Sequence, residues 1–243
     1  MKKVEKILWN ERTREEFPAW AAKGAVVILP IASTEQHGHH LPIDTDCRTV
    51  TYVSRLAACM SEDVPILVMP LLPYGISPHH MMFGGSITLS VETTVRMLRE
   101  ICQCIIAHGF ERIIILSGHG GNGNTVGAAA LELRHTLDRN IQAFCWWDPI
   151  PEVFARLAEG PKVSIGHSGE METSTILAIS PEAVRKDLYK LVDGITDDPS
   201  LATAEKGRAV LQAGAEALVE RAREMWKSPG RKPVGIPMAQ KKP

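Results

Sequence analysis

The chain lacks any apolar run long enough to span a bilayer, and its opening residues, Met-Lys-Lys-Val-Glu-Lys, lack the apolar region of a signal peptide. The expectation is a cytoplasmic protein. An excess of charge of one sign is also missing. Lys and Arg number 27 against 28 Asp and Glu, for a formal net charge of -1. That balance speaks against nucleic acid or an anionic membrane as partner. The short basic pairs Arg231-Lys232 and Lys241-Lys242 read as a solvated tail. Cysteine is sparse, odd in number and irregular in spacing: Cys47, Cys59, Cys102, Cys104 and Cys145. This excludes a disulfide framework and points to reduced thiols. Cys102 and Cys104 fall in a helical stretch, where residues two apart face different ways, so they read as packing and not as a metal pair. A phosphate loop is missing too. Gly118-His-Gly-Gly-Asn-Gly-Asn124 follows an apolar run, but it has no Walker Lys-Ser/Thr and fails the dinucleotide glycine spacing. A nucleotide-binding module therefore has no signature here.

What is present is an ordinary globular composition over 243 residues, 44% hydrophobic and 23% charged. One domain over 1–243 is expected, with a Pro- and Lys-rich tail from about 228 that is a loose end or an arm on a neighbouring subunit. Short β-branched runs at 25–31, 64–70, 112–117 and 141–147 read as buried strands. Helices are expected over 13–23 (interrupted by Pro18), 48–60, 90–108, about 124–137, 151–157, 170–179 and 203–226. Strands alternating with helices imply a three-layer α/β/α sandwich with a mainly parallel sheet. The irregular stretch 71–90, punctuated by Pro and Gly and carrying His79, His80 and three Met nearby, is expected to be an ordered, substrate-facing loop.

Titratable residues crowd where the strands end. Glu35, His37, His39, His40, Asp44 and Asp46 follow the first strand, His119 follows the third, and His167 with Glu170 open a helix. In a parallel sheet the strand C-terminal ends share one edge, so these clusters can converge there. Glu35 and His37, two apart in extended chain, share a face. Glu170, in a first helical turn, sits where the helix dipole favours a carboxylate. Three carboxylates with two imidazoles match what a pair of divalent ions requires, and such a pair suits hydrolysis of an unactivated amide. The competing reading is that these are separate surface and capping groups.

The stretch Ser33-Thr-Glu-Gln-His-Gly-His-His-Leu-Pro42 with Asp46, then Ser117-Gly-His-Gly-Gly-Asn122, then His167-Ser-Gly-Glu-Met-Glu-Thr-Ser174, resembles the creatininase (creatinine amidohydrolase) family over about residues 24–180. The resemblance implies an α/β three-layer fold, a dinuclear metal centre (Zn2+ or Mn2+, with Fe2+ an alternative) and a homo-oligomer, often a hexamer. By that resemblance Glu35 and His119 hold one metal, His37 and Glu170 the other, and Asp46 bridges. His167 matches the histidine that moves the proton. His80 and the pair Trp146 and Trp147 match substrate-lining positions, with core packing the competing reading for the tryptophans. His39, His40 and His79 are expected at the rim or behind the ligands. Glu172 is expected to point away from the metals. Creatininase proper carries a ligating Glu where this chain has Gly121, a departure that weakens the case for creatinine itself among the cyclic amides. The implied activity is metal-dependent hydrolysis of a non-peptide C–N bond in a small cyclic amide such as creatinine or a related lactam, through a metal-activated water. The alternatives are a formamide hydrolase like the formamidopyrimidine deformylases, a peptidase of cofactor biosynthesis, and a metal-binding subunit without turnover.

Overall fold

The computed structural model describes residues 7–228. The expected tail therefore lies almost wholly outside the described residues. Four strands, β1 (Val26–Ile31), β2 (Ile66–Val68), β3 (Arg112–Ser117) and β4 (Asn140–Cys145), form a fully parallel sheet in the order β2-β1-β3-β4. Val26 to Ile31 of β1 pair with Arg112 to Ser117 of β3, and Val26 to Ile28 pair with Ile66 to Val68 of β2. The helices are α1 (Phe17–Ala22), α2 (Thr45–Met60), α3 (Val91–Ala107), α4 (Gly123–Leu137), α5 (Pro151–Leu157), α6 (Glu170–Ile179) and α7 (Ala204–Lys227).

The period-2 alternation of β1 sorts its side chains into two cores. Val26 and Ile28 pack with Val50, Val53 and Ala57 of α2 and with Val210, Leu211 and Leu218 of α7. Val27, Leu29 and Ile31 pack with Leu98, Cys102 and Ile105 of α3 and with Val126, Ala130 and Leu133 of α4. Helices thus cover both faces of the sheet, as the alternating pattern requires.

Two expectations change. Pro18 does not interrupt a helix; it lies in the first turn of α1, where its missing N–H costs nothing. The fourth strand ends at Cys145, because the chain turns at once and Asp148 accepts a hydrogen bond from Cys145 N. Residues 71–90 are held by bridges to the sheet region, Leu72 with Ile31 and Ile87 with Thr34.

The strand order places the site. From β1 the chain runs to β2 on one side and then crosses back to β3 on the other, so β1 and β3 flank a topological switch point. Open α/β sheets bind ligands in the crevice outside the strand ends at such a point. The loop after β1 carries Glu35 and His37, and the loop after β3 carries His119.

Candidate functional site

The crevice gathers a buried cluster of Glu35, His37, Asp46, His119 and Glu172. Asp46, in the first turn of α2, stands between two imidazoles. Its Oδ1 lies 3.2 Å from His37 Nε2 and its Oδ2 3.2 Å from His119 Nδ1. Glu35 Oε1 lies 3.1 Å from His119 Nδ1, and Glu172 Oε2 lies 3.4 Å from His37 Nε2.

The backbone orients both rings. His37 Nδ1 lies 3.0 Å from the Glu35 carbonyl oxygen. A carbonyl only accepts, so Nδ1 carries the hydrogen and the Nε2 lone pair turns to the carboxylates. His119 Nε2 lies 3.1 Å from the Ile76 carbonyl oxygen, which leaves Nδ1 as its free lone pair. Ser77 Oγ donates to Glu35 Oε2 and thereby aims the other oxygen, Oε1, into the cluster. Partners of this kind fix ring orientation and tautomer around metals.

The donor set fits divalent cations. Glu35 Oε1, His37 Nε2 and Asp46 Oδ2 are buried side-chain atoms with no hydrogen-bond partner, and all three face the shared space. Most buried polar atoms are paired, so three unpaired ligand-type atoms from neighbouring side chains fit a site that a cation would complete. His37, Asp46 and Glu172 bring their ligand atoms within 4.8 Å of one another, and so do Glu35, His37 and His167. Charge balance agrees. Burial pushes Asp46 up, but the neighbouring His37 and His119 outweigh it and hold the carboxyl well below its usual range. Burial pulls His119 down, yet Asp46 and Glu35 raise it to about 10. Carboxylates and imidazoles drawn together this closely bind a proton tightly, and a divalent cation held by the same atoms would take the proton's place.

Glu170 does not join the cluster, contrary to expectation. Its carboxylate accepts hydrogen bonds from Glu159 N, Gly160 N and Lys206 Nζ. Glu172 faces His37 instead and also accepts from Ser168 N. The reason is helix phase. Residues two apart in α6 point about 200° apart, so only one of the two carboxylates can face the crevice. Gly121 explains why no carboxylate comes from the β3 loop. A Cβ there would stand 2.3 Å from His119 Nε2 and 2.5 Å from the Ile76 carbonyl oxygen.

His167 reaches the crevice from the loop before α6. Its ring stacks on His80 and lies tilted against His37, with centroids 4.3 Å and 4.4 Å away. Nε2 lies 2.9 Å from the Gln36 carbonyl oxygen, so Nδ1 is the free nitrogen, 3.5 Å from Glu35 Oε1. Burial, then the charge of His37, lowers its pKa. Burial and His167 bring His80 down to about 4. Gln36, which the sequence offered only as the residue between Glu35 and His37, joins these parts: its side-chain nitrogen lies 3.1 Å from His80 Nδ1 and 2.6 Å from the Gly194 carbonyl oxygen. Ser77 likewise had no signal beyond its place in the long loop.

A cleft of about 520 Å3 opens over the cluster, lined by His79, His80, Trp147 and the segments 162–167 and 194–196 among others. Trp147 lines it. Trp146 does not; it is buried against Gly214 of α7 in the core, because the turn after β4 sends successive side chains to opposite sides. His40 is buried behind the site on Thr173 Oγ1, 2.9 Å away. Met81 and Met82 face solvent. Of the long loop, the two histidines line the cleft.

Comparison with known proteins agrees with this geometry. The family model described as "Creatininase: Creatinine amidohydrolase" matches residues 10–222. The chain is similar to the mycofactocin precursor peptide peptidase of Mycobacterium tuberculosis, with 30% identity over 224 residues, 80% of this chain and 83% of that protein. It is similar to the creatinine amidohydrolase of Pseudomonas putida, 28% identical over 255 residues, 88% of this chain and 95% of that protein. A crystal structure of creatinine amidohydrolase superposes with a TM-score of 0.80 at 25% identity, covering 92% of this chain and 99% of the other. A manganese creatininase gives 0.78 at 27% identity, with 92% and 100% covered. Among the described residues, no helix is long and apolar enough to cross a membrane. The switch-point crevice, its converging carboxylates and imidazoles, and these likenesses along most of the chain place the protein in the creatininase family of amidohydrolases, hydrolases of C–N bonds.

Proposed function

We propose that the chain is a dinuclear-metal amidohydrolase in which Glu35, Asp46 and His119 would hold one divalent ion and His37, Asp46 and Glu172 the other. The observation that carries this reading is the placement of Asp46, with one oxygen 3.2 Å from each of two histidines on opposite sides. Zn2+ and Mn2+ suit these nitrogen and oxygen donors. Two such ions, when bound, lower the pKa of a water and polarise an amide carbonyl. The remaining chemistry belongs to the chain. His167, anchored through Nε2 on Gln36, presents Nδ1 to the crevice, where it takes a proton and returns it to the leaving nitrogen. The Gln36 carbonyl and the Ser77 hydroxyl hold His167 and Glu35 in place.

The substrate in this reading is a small-molecule amide, with cyclic amides the first class to try. A second reading, cleavage within a larger peptide-like substrate, is favoured by the cleft, whose volume of about 520 Å3 suits a drug-sized ligand. The test is a panel of lactams, hydantoins, formamides and short peptides given to metal-restored protein. Turnover of one class that disappears on chelation and in Asp46→Ala supports the proposal. Turnover that survives both would overturn it.

A further inference from the structure

We propose that the wall of the cleft formed by residues 162–167 is a carboxylate subsite built on Lys162, and that the preferred amide substrate carries a carboxylate away from its scissile bond. This rests on the amidohydrolase reading above. Among the described residues lining the cleft, Lys162 is the sole ammonium or guanidinium group. It has no ion pair within 4.0 Å there, in contrast to Lys206, which is held by both Glu159 and Glu170. The carboxylate that feels its charge is Asp197. That group is already engaged, accepting from Glu170 N and from Thr196 Oγ1. Lys162 thus lines the cleft without a close ion pair, its charge balanced only at longer range by Asp197.

A second group points the same way. Ser164 lines the same wall and accepts from Gly166 N at 3.3 Å, while its own hydroxyl hydrogen has no acceptor among the described residues. An ammonium beside a free hydroxyl donor is a fitting pair for one carboxylate. The wall is also preorganised. Glu170 pins Glu159 N and Gly160 N on one side of it. Thr196 pins it on the other, accepting from His167 N at 2.9 Å while its own N donates to the His167 carbonyl. Only the flexible stem of Lys162 has to order on binding, which keeps the cost of recognition low. An amide held over the cluster by bound divalent ions would place a distal carboxylate in the same cleft that Lys162 and Ser164 line.

The experiment uses the metal-loaded full chain and calorimetric titration with two hydroxamates of equal length, those of succinic acid and of its uncharged monoamide. Native protein should bind the carboxylated probe about tenfold more tightly, the gain of one charge-assisted contact. Lys162→Met should bring the ratio to about one without changing metal content, and Lys162→Arg should retain most of it. A native ratio of one, or a preference untouched by Lys162→Met, would overturn the subsite while leaving the amidohydrolase reading in place. Native protein that binds neither probe would overturn both. Lys162 is exposed, so the variants should fold, and an unchanged melting temperature checks that they do.

Discussion

Glu172 Oε2 stands 3.4 Å from His37 Nε2, while Glu170, two residues earlier on the same helix, turns to Lys206. This division of labour sets apart two substitutions that look alike. If Glu172 is a donor as proposed, Glu172→Gln should lower metal content to about one ion per chain, with loss of turnover. Glu170→Gln should keep full metal content and lose about 1–3 kcal/mol of stability, since a buried charged hydrogen bond is weakened. Elemental analysis and thermal melts of both variants check this. The reverse pattern would return the ligand role to Glu170.

His167→Ala should retain metal and lower turnover by roughly 10²–10⁴-fold, the usual contribution of a positioned acid–base group. Single-turnover rates beside metal content measure the two effects separately. Metal loss in this variant would make His167 a ligand.

Gly121→Ala should damage the centre although it adds only a methyl group, because the new Cβ would strike His119 Nε2 and the Ile76 carbonyl oxygen. Displacing His119 should weaken metal affinity at least 10-fold, in the range seen when ligand-orienting partners are lost. For the same steric reason Gly121→Glu should fail to rescue Glu172→Gln. A competition titration with a chromogenic chelator reads both.

The cysteines give a pH prediction remote from catalysis. Burial pushes Cys102 up to about 12, and burial with Asp148 does the same for Cys145. Both should resist thiol reagents in the native state, whereas the exposed Cys104 should react. In the unfolded chain these thiols ionise near pH ~8.5. Between that value and 12 the folded state holds more protons, so stability falls as pH rises, by up to about 1.4 kcal/mol per pH unit for each thiol. Denaturant midpoints at pH 8 and 10 test the sign.

Much of this was legible in the residues. The β-branched runs and the alternation of elements defined a parallel sheet, and the crowding of Glu35, His37 and Asp46 after the first strand marked its functional edge. Glu170 and Glu172 were the point of failure. Both lie in the first turn of α6, and a sequence does not reveal which of two carboxylates faces inward until the helix phase is fixed. Here Glu170 turns to Glu159 N, Gly160 N and, far along the chain on α7, Lys206. Trp146 and Trp147 pose the same problem at a turn, where neighbouring aromatics part between core and cleft. Gln36 and Ser77 carry no catalytic residue type, and their roles follow only from the hydrogen bonds they make.

The central claim is a pair of divalent ions in the crevice around Asp46, and its most direct test is metal content. Protein purified without chelator, then titrated with Zn2+ or Mn2+ and freed of excess, should hold about two ions per chain. Asp46→Ala should hold markedly less. Native protein that takes up one ion or none under these conditions would contradict the account.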